Sequence, residues 1–193
     1  TLNVLAEQII SGTNDLILSA APVMSNGSIT STGGSVTLQG TPTGGTLTLG
    51  GTTLILIGNL DTTATAFTAP ANLTLSANAT LTTTAALSIT TLSLGDFALT
   101  LGNDLTVANA VTFDNANEQI ITAGNDLTLS AAPTFTNGAI TSTSGTITLA
   151  ANSSISGGTF DLSGSKLTLS GDANLTGTTL TAPNVLEITG NAT

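Results

Sequence analysis

The sequence predicts an all-β protein, a parallel β-helix (β-solenoid) of about ten coils of about 19 residues, and three observations predict it. A short phrase, Leu-Thr-Leu or a close variant with apolar outer residues, returns at a nearly fixed interval. Apolar residues alternate with Thr or Ser inside each phrase. Gly, Asn, Asp and Pro cluster between phrases. A fixed period near 20 with no helical spacing is the mark of a solenoid, in which each repeat is one coil stacked on the next.

Taken in order, the phrases begin at Leu16, Val36, Leu54, Leu73, Leu92, Val111, Leu127, Ile147, Leu167 and Leu186. Their spacing is 20, 18, 19, 19, 19, 16, 20, 20 and 19 residues. The stretch from Gly95 to Asn117 is the least regular, and the 16-residue gap there is read as a tightened corner. A second set of apolar positions lies about half a coil away: Ile29, Leu47, Phe67, Leu87, Ile120, Ile140, Phe160 and Leu180. Each coil therefore holds two inward-pointing strands, or three. Strict alternation is the strand signal. Asn26-Gly27, Gly33-Gly34, Gly44-Gly45, Asn137-Gly138 and Gly157-Gly158 are the corners, because Gly and Asn tolerate positive φ.

In such coils Leu, Ile, Val and Phe point inward and stack on their counterparts one coil below. The Thr between them points out, where a β-branched side chain suits a strand. Backbone hydrogen bonds join coils about 4.8 Å apart, so ten coils make a rod roughly 48 Å long. No α-helix is expected. The best helical candidate, Leu5 to Ile10, recurs at 117–121, which argues against a terminal cap. The unbroken period makes 1–193 a single continuous solenoid, read as a segment of a longer chain or a filament subunit.

A longer repeat is nested in the short one. Glu7-Gln8-Ile9-Ile10 returns as Glu118-Gln119-Ile120-Ile121, Asn14-Asp15-Leu16 as Asn125-Asp126-Leu127, and Ser19-Ala20-Ala21-Pro22 as Ser130-Ala131-Ala132-Pro133. Ile29-Thr30-Ser31-Thr32 returns as Ile140-Thr141-Ser142-Thr143, again at an offset of 111. That offset is read as six coils, a whole number of turns.

Composition excludes whole classes of function. The net charge is -10 and Lys166 is the single basic residue, so no surface can neutralise phosphates or anionic lipid. Nucleic acid is therefore not an expected partner. Without His or Cys there is no zinc, iron–sulfur or haem site of the usual kinds, no thiol nucleophile and no imidazole base. The apolar runs are short, as in Leu54-Ile55-Leu56-Ile57, against the 18 or more residues that a membrane helix needs. No membrane insertion is expected.

The acidic residues are Glu7, Asp15, Asp61, Asp96, Asp104, Asp114, Glu118, Asp126, Asp161, Asp172 and Glu187. Gly102-Asn103-Asp104-Leu105 and Gly124-Asn125-Asp126-Leu127 are near copies. Two roles fit them. Oxygen ligands on adjacent coils could hold calcium, or Asn and Asp could satisfy backbone groups at corners. The strict Gly/Asp register of calcium-binding β-roll repeats is missing, which favours the second role. Paired carboxylates could in principle cleave a glycoside. Sugar sites also use aromatic platforms and Arg, Lys or His, and the chain offers one Lys and no Trp, Tyr, Arg or His. No catalytic, cofactor or metal residue is therefore assigned, and the chain is read as not an enzyme.

Thr-rich flanks raise a further reading, an ice-binding or ligand-binding face. Two outward columns, both Thr, would be needed. Thr146/Thr148 and Thr179/Thr181 fit, whereas Asp15/Ile17, Lys166/Thr168 and Val185/Glu187 do not. Six Asn-x-Ser/Thr sequons occur, at Asn26, Asn72, Asn78, Asn152, Asn174 and Asn191, a number that chance supplies in so Ser/Thr-rich a chain.

The runs Gly124-Asn125-Asp126-Leu127-Thr128-Leu129-Ser130-Ala131 and Gly138-Ala139-Ile140-Thr141-Ser142-Thr143-Ser144-Gly145-Thr146-Ile147-Thr148-Leu149-Ala150 resemble the repeats of filamentous-haemagglutinin-type exoproteins. Autotransporter passengers read similarly. The resemblance implies a right-handed winding, a bacterial extracellular or cell-surface location, and no functional residues to carry over. That family's amino-terminal secretion segment has Asn-Pro motifs, and no Asn-Pro dipeptide occurs here. The expectation is a structural, non-catalytic shaft of a surface adhesin or extracellular filament. Its partners would be further coils of one giant chain, or copies of itself stacked end to end or laterally.

Overall fold

A computed structural model of the chain describes residues 1–4, 7–150 and 152–191. It is all-β and contains no helix among those residues, so none is long and apolar enough to cross a membrane. Parallel strands stack as a solenoid of about nine turns with about 20 residues per turn. Leu5 and Ala6, the first two residues of the best helical candidate, lie outside the described residues. The rest of that segment enters the strand Gln8–Gly12.

The winding has three faces. The first carries Gln8–Gly12, Val23–Ser31, Thr43–Thr48 and Ala66–Thr68 in one sheet. It resumes with Leu87–Ile89, Leu105–Val107, Leu127–Leu129, Thr146–Leu149, Lys166–Leu169 and Val185–Ile188 in another. The second face carries Leu16–Leu18, Ser35–Leu38, Thr53–Leu56, Asn72–Leu75 and Thr91–Ser93. It continues through the short strands Thr112–Phe113, Thr134–Phe135, Ser153–Ser154 and Ala173–Asn174. The third face is one sheet of seven strands: Leu60–Asp61, Ala79–Thr82, Ala98–Leu101, Gln119–Ile121, Ala139–Thr141, Thr159–Asp161 and Thr179–Thr181.

Alternation sets which side chains go inside. In Ser35–Leu38 and Thr53–Leu56 the residues Val36, Leu38, Leu54 and Leu56 are buried, while Thr37 and Ile55 face outward. Each stacks on its like: Leu16 pairs with Val36, Val36 with Leu54, and Leu54 with Leu73. The aromatic residues concentrate this packing. The Phe135 ring stacks on that of Phe113 at 3.9 Å, and Phe160 tilts against Phe135 at 4.9 Å from the third face. All three are fully buried.

The third inward strand explains two departures from the sequence reading. The ten phrases do not form one column. Leu16 through Leu92 stack on the second face, and Val111, directly before the second-face strand Thr112–Phe113, belongs there too. Leu127, however, stacks on Leu105 of the first face. The 16-residue gap is thus the distance between two faces, and no tightened corner is needed. The second set also changes face: Ile29, Leu47 and Phe67 belong to the first, while Ile120, Ile140 and Phe160 belong to the third.

The 111-residue offset is not a whole number of turns either. From Ile9 the first-face column passes through Ile29, Leu47, Phe67 and Leu87 to Leu105, five turns on. Ile120, the counterpart of Ile9, lies two faces further, on the third face. The duplicated block is therefore rotated by two faces about the axis, and the same sequence serves on different sides of the rod.

Candidate functional surface

Polar side chains at the corners are mostly engaged in holding coils together. Asp15 Oδ1 accepts both the backbone N–H and the hydroxyl of Ser35, each at 2.8 Å. The two near-copy tetrapeptides do stack, as the calcium reading required. Yet Asp104 Oδ1 accepts the Asp126 N–H (2.8 Å), Asp126 Oδ1 accepts the Thr146 N–H (2.7 Å), and Asn125 Nδ2 donates to Leu101 O. These oxygens serve the backbone, the role that corner Asn and Asp commonly take. Asn59, Asn78 and Asn152 accept the N–H of Thr80, Ala98 and Asp172 in the same way, and Asp172 accepts that of Asn191. The Ser35 hydroxyl, with help from the Ser35 N–H, holds the Asp15 carboxyl below the usual carboxylate range. Thr63 does the same for Asp61 through its hydroxyl and then its N–H.

One acidic group escaped the sequence reading. Carboxylate oxygens of Asp96, Asp114 and Glu118 lie within 4.8 Å of one another. The signal was the 18-residue separation of Asp96 and Asp114, which is close to one coil. Glu118 is buried, and its Oε2 accepts the N–H groups of Asp114 (2.5 Å) and Asn115 (3.0 Å). Its counterpart Glu7 folds back in the same way onto the N–H groups of Asn3 and Val4. The glutamate is thus a corner brace in both copies.

The described residues contain one ion pair, Lys166 Nζ to Glu187 Oε2 at 2.6 Å, on the first face. A groove of about 350 Å³ on the second face is lined by Asn152, Ser153, Ser154, Asp172, Ala173, Asn174 and Asn191. The structure also re-sorts the Thr positions. Outward on the first face, Thr30, Thr48 and Thr68 form one column in the lower sheet, and Ser88, Thr106, Thr128, Thr148 and Thr168 form one in the upper sheet. The neighbouring column is mixed: Ser28, Thr46 and Ala66 in the lower coils, Thr146, Lys166 and Val185 in the upper ones. One column carries a hydroxyl at every position within each of the two sheets, and its neighbour does not.

These features define a β-solenoid repeat protein whose surface polar groups chiefly bind its own backbone. Compared with protein-family models, curated proteins and solved structures, the chain matches none.

Proposed function

We propose that the chain is a structural, non-catalytic solenoid that forms the shaft of a bacterial surface adhesin or an extracellular filament. One observation carries the reading: a buried apolar column runs beneath all three faces, from Met24 and Ile29 to Leu167 and Leu169. Its stacking is tied coil to coil by backbone ladders and by the Asx braces. Such a body resists bending without disulfides, and the chain has no Cys. An image of the native assembly tests the reading. Coils running on across unit boundaries are expected, whereas a compact particle with a catalytic turnover would refute it. Size-exclusion chromatography separates the two kinds of neighbour, since a monodisperse monomer of this segment counts against stacking copies.

The Thr/Ser column from Ser88 to Thr168 favours a second reading, a ligand-binding or ice-binding face. Absence of both thermal hysteresis and inhibition of ice recrystallisation removes its ice-binding form.

A further inference from the structure

We infer that the rod has a built-in opening joint on its first face, between the coil of Ala66–Thr68 and the coil of Leu87–Ile89. The first-face ladder stops at one of these strands and restarts at the other. Among the described residues, no strand pairing and no backbone hydrogen bond joins 66–69 to 84–89. A cavity of about 80 Å³ takes the place of the ladder, lined by Phe67, Ala69, Leu87 and the corner 83–86. That corner carries small side chains, and Thr84, Ala85 and Ala86 are exposed. The Thr83 hydroxyl donates to Ala85 O (2.7 Å) within its own corner and so does not brace the neighbouring coil.

The other two faces hold across the same junction. On the third, Leu60 pairs with Leu81 and Asp61 with Thr82. On the second, Asn72, Leu73 and Thr74 pair with Thr91, Leu92 and Ser93. One coil higher, the second face has no ladder between Thr91–Ser93 and Thr112–Phe113, and the bonds Ala108 N–H to Ile89 O and Asn109 N–H to Thr90 O lie at the end of the first face and at the corner after it. The third face alone runs unbroken through its seven strands. The geometry is that of a hinge: a continuous spine on one side and a missing ladder opposite. Segments with few backbone bonds and poor packing open locally before the rest of a structure. The joint would let the shaft yield at this junction and the coil above it under load, while the third-face sheet stays paired. That purpose rests on the shaft reading, whereas the joint itself is a property of the fold.

Hydrogen exchange on the full chain, read by mass spectrometry, tests it. Amides in 83–86 are expected to exchange about tenfold or more faster than those in 139–141 and 146–149, where the ladder is intact. Equal protection would overturn the joint. Two variants push in opposite directions. Ala69→Val narrows the cavity and is expected to slow exchange in 83–86, whereas Phe67→Ala widens it and speeds exchange there, with 139–141 and 146–149 unchanged in both. If neither variant moves 83–86, the cavity is not the cause and the proposal fails. An imaging result that refutes the shaft leaves these exchange rates as they are, so the two readings fail separately.

Discussion

Asp15 and Asp126 make the same bond on different faces of the rod. Asp15 Oδ1 accepts the N–H of Ser35 at 2.8 Å on the second face, and Asp126 Oδ1 accepts the N–H of Thr146 at 2.7 Å on the first. Both members of each pair are 111 residues from their counterparts. Ser31 and Ser142 repeat the pattern, each buried and donating to the backbone carbonyl two residues on, Gly33 at 2.9 Å and Ser144 at 2.7 Å. A corner is thus a transferable unit that brings its own braces.

Asp15 makes the stability pH-dependent. Its carboxyl lies below the ordinary value because the Ser35 hydroxyl and N–H favour the charged form. A depressed folded value contributes stability that is present above the unfolded value and lost as pH falls through the folded one. The melting temperature of Asp15→Asn, whose amide oxygen keeps the acceptor, should fall less on acidification than that of the parent chain. Asp15→Ala should melt lower already at neutral pH. Parallel pH profiles for the parent and Asp15→Asn would contradict this account.

Phe135 holds the aromatic stack together. Phe135→Ala removes a fully buried ring between Phe113 and Phe160 and should cost about 3–5 kcal/mol in chemical denaturation. Ile17→Thr makes the contrast. Ile17 is 69% exposed, its counterpart at the 111-residue offset is Thr128, and the change should stay within about 0.5 kcal/mol.

Gly145 sits at a corner with φ 82°, and its counterpart Gly34 has φ 66°. A Cβ on Gly145 would approach the carbonyl oxygens of Gly124 and Asn125 at 2.8 Å each. Gly145→Ala should therefore lose about 1–3 kcal/mol through backbone strain and this close approach. A neutral result in urea unfolding would show that the corner relaxes.

The Ser165 hydroxyl is buried without a hydrogen-bond partner. Leaving a donor unpaired costs about 1–3 kcal/mol. Ser165→Ala should accordingly match or exceed the parent in stability, and a clear loss would point to an undetected partner.

Asp96, Asp114 and Glu118 invite a metal test. Since Glu118 Oε2 is taken by two N–H groups, melting curves with and without a chelator should coincide. A lower melting temperature in chelator would show that a cation bridges these coils.

Much of the fold was legible in the residues themselves. Alternation identified Val36, Leu54, Leu73 and Ile147 as inward-pointing, and all four are buried. Gly33-Gly34, Asn137-Gly138 and Gly157-Gly158 fall between strands as expected, with positive φ at Gly34, Gly138 and Gly158, whereas Asn26-Gly27 and Gly44-Gly45 lie within Val23–Ser31 and Thr43–Thr48, where the pairing shifts register. The acidic group around Glu118 was not found, because its members belong to different coils and a spacing of 18 was not followed across the corner.

The sequence by itself determined that the chain winds, how long a turn is and which residues point inward. These depend on local matters: strand alternation, corner chemistry and a repeat that recurs at nearly constant length. Only the tertiary structure decided which coil position lies on which face. All three faces use the same Leu-Thr-Leu phrase, so a shift of one face leaves the local pattern intact. The inter-coil register breaks that degeneracy: Leu127 pairs with Leu105, and Val111 belongs to another face.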